Sequence, residues 1–127
     1  MTDHPRRPVI AVVDDDPAIL ESIESLLNSA DYEVRLFSTA TALLGSGGLP
    51  EIDCVISDVA MPLMDGFELA RAVQEARPAL PVILVTGRPD LLQPPLNRQG
   101  HYRVFKKPFD GQELLTAVAL MLSSRAP

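Results

Sequence analysis

Residues 8–17 read Pro-Val-Ile-Ala-Val-Val-Asp-Asp-Asp-Pro. Pro8 to Val13 is an unbroken apolar run, mostly β-branched, with none of the polar alternation of a strand that faces water on one side. Such a run is the pattern of a strand buried on both faces. A strand of that kind needs helices above and below its sheet, which points to an α/β protein with a parallel sheet. The run ends in three acids and a proline. Pro17 suits the first position of a helix, where a missing N–H costs nothing, and Asp16 before it suits the N-cap. Behind them Ile19, Leu20, Ile23, Leu26, Leu27 and Ala30 recur at helical spacing.

The same unit recurs along the chain. Glu33 to Phe37 alternates in the manner of a more exposed strand. Ser38 is placed to cap a short helix carrying Ala42, Leu43 and Leu44, which the Gly45–Pro50 turn ends. Ile52 to Ser57 reads as a second buried strand, followed by a loop from Asp58 to Gly66. A helix is predicted over Phe67 to Ala76, a strand over Val82 to Val85 and another over Tyr102 to Lys106. Asp110 is placed to cap a last helix with a stripe of Leu114, Leu115, Val118 and Leu122. The order is βα five times: a doubly wound, five-stranded parallel sheet in one domain, residues 1–127, with a core from about 8 to 123. The exception is the helix expected within Arg88 to Gly100. Pro89, Pro94 and Pro95 stand in it, and an interior proline costs about 3 kcal/mol, so that element is expected to be short or irregular.

The composition fits this picture. A chain of 127 residues that is 46% hydrophobic, with no Trp, builds its core from aliphatic side chains. The net charge of −6 argues against non-specific contact with nucleic acid, and direct nucleic-acid binding is not expected. Cys54 is the only cysteine and sits in an apolar run, so it reads as a small buried hydrophobe. No leader or membrane-length apolar stretch is visible, so a cytoplasmic protein without membrane contact is expected.

In a parallel sheet, ligands bind outside the carboxyl ends of the strands. The residues there are Asp14, Asp15 and Asp16 after the first strand, Asp58 after the third, Thr86 after the fourth and Lys106 and Lys107 after the fifth. Clustered carboxylates repel and raise one another's pKa, a problem that a divalent cation removes. Carboxylate oxygens plus water suit Mg²⁺. An ammonium and a hydroxyl nearby are donors for a further anionic group, and aspartate is a type of nucleophile that accepts a phosphoryl group.

Val-Val-Asp-Asp-Asp at 12–16, Ser-Asp-Val-Ala-Met-Pro-Leu-Met-Asp-Gly at 57–66, Val-Thr-Gly at 85–87 and Lys-Lys-Pro-Phe at 106–109 resemble, in order, the motifs of response-regulator receiver domains of two-component signalling. The resemblance spans about Val9 to Leu122. It implies a flavodoxin-like fold with Asp58 as phosphoacceptor. Mg²⁺ would be held by Asp14, Asp15, Asp58 and the backbone carbonyl of Ala60. Lys107 would pair with the phosphoryl group, and Thr86 would swing toward it as the switch. A cis Lys107-Pro108 peptide and a turn allowed by Gly66 are implied as well. The partners implied are a sensor histidine kinase or phosphotransfer protein as donor and a downstream protein target. A homodimer is compatible with it.

The sequence departs from the pattern at Val104, where many receivers carry an aromatic residue that moves with the threonine. Tyr102 and Phe105 are near but face differently on a strand. Ala60 and Arg88 occupy the two positions that tune hydrolysis of the phosphoryl group in the family. Asp16 reads as a helix cap rather than a ligand, Lys106 as a solvated neighbour and Asp65 as a turn residue beside Gly66. Two alternatives stand beside the receiver reading. One is a phosphorylation-independent interaction module. The other is a phosphatase of the haloacid-dehalogenase type using Asp14 and Asp16, which the Pro17-Ala18 that follows disfavours. No output domain is expected after Leu122.

Overall fold

The structure is a computed structural model that describes residues 7–87 and 102–123. Strand β1 spans Val9–Val13, helix α1 Pro17–Ser29, β2 Glu33–Phe37, α2 Ala40–Gly45, β3 Cys54–Asp58, α3 Gly66–Ala76, β4 Val82–Thr86, β5 Tyr102–Lys106 and α4 Gly111–Ser123. The five strands form one parallel sheet in the order β2-β1-β3-β4-β5. The order reverses beside β1, which leaves a crevice between the carboxyl ends of β1 and β3. The helix expected to be broken by prolines falls on residues 88–101 and lies outside the described residues.

The two runs that read as buried strands, in β1 and β3, are so. Every residue of β1, β3 and β4 is buried, whereas β2, at the edge, is mostly half-buried. Alternate residues of each strand feed two apolar layers. Val55 and Leu84 pack with Leu43 of α2 and Leu69 and Val73 of α3 on one face. Ile10, Ile56 and Ile83 pack with Ile23 and Leu27 of α1 and Leu114 and Val118 of α4 on the other. Each such side chain contributes about 1.5–3 kcal/mol by leaving water. Cys54 is fully buried in the second layer. Val104 packs on the first layer and Phe105 on the second, so the two residues do face opposite sides of the sheet.

Local details correct the sequence reading in four places. Asp16 caps α1 as expected, its Oδ1 accepting the Ala18 N–H at 2.9 Å, with Pro17 behind it. The cap of α2, however, is Thr39 and not Ser38: the Thr39 hydroxyl accepts the Ala42 N–H at 3.0 Å. Strand β3 begins at Cys54 rather than Ile52, because Leu49–Glu51 forms a 3-10 turn whose last bond is the Ile52 N–H to the Leu49 carbonyl. Asp65 is more than a turn residue. Its carboxylate accepts the Glu68 N–H at 2.8 Å while the Glu68 carboxylate accepts the Asp65 N–H at 2.9 Å, a capping box that opens α3. Gly66, finally, is the first residue of α3, and the left-handed residue of the preceding loop is Leu63, at φ 72°. Among the described residues, no helix is long and apolar enough to cross a membrane.

Candidate functional site

Strand β1 delivers Asp14 to the crevice directly. Its N–H donates to the Phe37 carbonyl of β2 at 3.1 Å, and its Oδ1 accepts the Asp16 N–H at 2.9 Å. These bonds hold the acidic turn in one shape, with Asp14 buried and Asp15 exposed. Asp58 ends β3 one strand away. It is the last residue paired with β4, opposite Val85. Only 7% of it is exposed, so the carboxylate sits in a recess rather than on a surface loop.

Asp14, Asp15 and Asp58 each bring one carboxylate oxygen within 4.8 Å of the others. Lys107 completes the group from beyond β5. Its N–H extends the β4–β5 ladder by donating to the Thr86 carbonyl at 2.7 Å, and the next peptide, to Pro108, is cis. Its Nζ lies 3.1 Å from Asp14 Oδ2 and 3.3 Å from Asp58 Oδ1. Thr86 ends β4 opposite Lys106 and is fully buried. Lys106 is exposed, as its reading as a solvated neighbour requires.

Burial pushes the Asp58 carboxyl up from its ordinary value. The neighbouring Asp14 adds to the rise, Lys107 opposes it, and Asp15 contributes a smaller push upward. For Lys107, burial works against the charged form. The hydrogen bond and charge of Asp14, followed by those of Asp58, outweigh it and leave the ammonium more firmly protonated. Three carboxylates around one ammonium leave two negative charges uncompensated, a surplus that fits a divalent cation with hard oxygen ligands. Asp16 is spent on its helix cap and stands outside the cluster.

Two roles at the site lie outside what the sequence predicts. Gly66 is required by a close approach rather than by a turn conformation: a Cβ on it would lie 2.5 Å from the Asp58 carbonyl oxygen and 2.9 Å from Val59 Cα. Ser57 is fully buried, and its hydroxyl donates to that same carbonyl at 2.9 Å. The signal for Ser57 was a hydroxyl placed in an otherwise apolar strand.

Comparison with known proteins gives a consistent result. Residues 10–119 match the family model described as response regulator receiver domain. The response regulator protein TmoT of Ectopseudomonas mendocina is 37% identical over 115 residues, 90% of this chain and 52% of TmoT. The chain thus spans about half the length of that relative. The DNA-binding transcriptional regulator NtrC of Bradyrhizobium sp. is 39% identical over 117 residues, 90% of this chain and 24% of that protein. The name records DNA binding for NtrC as a whole, so the expectation of no nucleic-acid contact gains no support from it. Among solved structures, the signal receiver domain of an HD domain-containing protein from Pseudomonas fluorescens superposes with a TM-score of 0.86 at 35% identity, over 98% of this chain and 93% of that one.

Proposed function

The chain belongs to the response-regulator receiver domain family, and from that premise we propose that it is a phosphorylation switch with Asp58 as the acceptor. The observation that carries the proposal is the Lys107 ammonium at 3.1 Å from Asp14 and 3.3 Å from Asp58, inside a cluster of three carboxylates. The family is one of signalling domains, which leaves the haloacid-dehalogenase reading without support.

The donor is a phosphohistidine on a sensor histidine kinase or phosphotransfer protein. An Asp58 carboxylate oxygen attacks phosphorus in line, a P–O bond forms, the P–N bond breaks, and the departing imidazole takes a proton. Aspartate must be ionised to attack, and burial works against that. Lys107 offsets the cost by holding its positive charge beside the attacking oxygen. Asp14, Asp15, Asp58 and the Ala60 carbonyl are the residues that would hold Mg²⁺. A cation held there supplies charge neutralisation and draws electron density from the phosphoryl oxygens. Lys107 then pairs with one phosphoryl oxygen, and the Thr86 hydroxyl turns out of its buried position to meet another. That turn favours one of two conformations and so changes which partner binds. With Val104 half-buried against the first apolar layer, at the position where many receivers carry an aromatic residue, the response reaches the surface without a swinging ring.

The test is intact-protein mass after incubation with acetyl phosphate, with and without Mg²⁺. One added phosphoryl group that requires Mg²⁺ and is absent from Asp58→Asn is the expected result. Equal labelling of Asp58→Asn, or a folded wild type that gains no mass, overturns the proposal.

A further inference from the structure

We propose that Ser57 is a positioning residue for this site, acting through its hydroxyl on the Asp58 carbonyl to hold the backbone that aims the phosphoacceptor and the metal-binding loop. The inference rests on the functional reading above and extends it to a residue outside the reacting set. Ser57 lies in β3 between Val13 of β1 and Leu84 of β4, with no exposed surface. Its strand companions Cys54, Val55 and Ile56 are apolar, and an alanine or valine would serve the packing there. A hydroxyl buried in such a place is costly unless it is bonded. It is bonded at 2.9 Å to the carbonyl of the next residue, which is the phosphoacceptor.

That carbonyl stands where the sheet stops supporting it. Pairing with β1 ends at Val13 and Ser57. On the β1 side, the peptide group that joins Asp58 to Val59 is held by other means, while its N–H keeps a ladder bond to β4. The Ser57 hydroxyl takes its oxygen, the Val59 N–H donates to Val85 at 2.9 Å, and Gly66 packs so close that any side chain would collide with it. One residue further, the Val59 carbonyl accepts the Gly66 N–H at 2.8 Å. Ser57 therefore fixes one side of the peptide plane from which the Asp58 carboxylate and, beyond Val59, the Ala60 carbonyl both depart. Freed from it, the plane rotates, and the ligand atoms separate without any of them being removed.

Mg²⁺ affinity measured by calorimetry on the full chain tests this. Ser57→Ala should weaken binding about tenfold, the scale on which residues behind the ligands act. The Val59 amide resonance should shift in the metal-free protein, and the second-order rate constant for phosphorylation by acetyl phosphate should fall in step with affinity. Ser57→Thr, which keeps the hydroxyl, should recover most of the affinity. Val55→Ala, on the same strand and face, should lower Tm yet bind Mg²⁺ as the wild type does. Wild-type affinity in Ser57→Ala, or an equal loss in Val55→Ala, overturns the inference. A wild type that neither binds Mg²⁺ nor takes a phosphoryl group removes the functional reading itself, and the inference with it.

Discussion

Asp58 carries a cost that the rest of the fold has to absorb. Its folded pKa is raised, first by burial and then by Asp14. The unfolded chain therefore ionises this carboxyl more readily than the native protein does. The sign follows: above the folded pKa the group subtracts from stability, the loss shrinks as pH falls through that value, and it is gone below the unfolded value of 3.8. In metal-free buffer at pH 7, Asp58→Asn is expected to melt a few degrees above the wild type, with the gap closing as pH is lowered through the carboxylate range. Circular dichroism in EDTA across that range measures it, and a less stable Asn variant at pH 7 contradicts it. Gly66 sits under the opposite constraint, one of space. The atoms that an added methyl would meet at 2.5 and 2.9 Å are backbone, so they cannot swing aside. Gly66→Ala is expected to cost about 3 kcal/mol, the upper end for overpacking. Urea unfolding tests this, and a loss below about 1 kcal/mol would mean that the loop yields.

Elements were legible in the sequence wherever one physical signal dominated. Asp16-Pro17 announces α1 because a cap and a fixed φ coincide there, and the burial of β1 and β3 follows from their apolar runs. Ends differ from expectation where two residues of similar chemistry compete, as Ser38 and Thr39 do. Asp65 illustrates another failure: Asp65-x-x-Glu68 has the spacing of a capping box, but the neighbouring glycine suggested a turn. Both bonds of the box form, so Asp65→Ala should cost about 1 kcal/mol in thermal unfolding. No local signal in the sequence marks Arg77, because its role depends on distant carbonyls. From the end of α3 its Nη1 donates to Leu49 at 2.8 Å and Ile52 at 2.5 Å, tying the helix to the 3-10 turn that leads into β3. Arg77→Ala should cost about 1.5–3 kcal/mol, the range for hydrogen bonds to a charged group. A change below about 0.5 kcal/mol would show that water replaces the side chain without penalty.

At the scale of the molecule, the site is the meeting of β1, β3, β4 and β5 at one edge, and each contributes polar residues at its end. That convergence was legible because a parallel sheet sends all carboxyl ends the same way. What the sequence could not supply was the closeness of the meeting. The near-contacts of Lys107 with two acids depend on packing between segments far apart in the chain, and that of Gly66 with the Asp58 carbonyl depends on how tightly the loop from β3 to α3 folds back. Because the acids come from separate elements, an ion that bridges them binds the folded chain and not the unfolded one. It must therefore raise global stability by mass action, by about 2.7 kcal/mol at a concentration 100 times Kd. Asp15 offers the cleanest way to check the linkage. It is exposed, so its removal leaves the core untouched, yet its carboxylate belongs to the cluster. Mg²⁺ should raise the Tm of the wild type well beyond NaCl at matched ionic strength, and Asp15→Ala should respond to the two salts alike. If Asp15→Ala kept the full Mg²⁺ response, the ion would be stabilising the protein from somewhere other than this crevice.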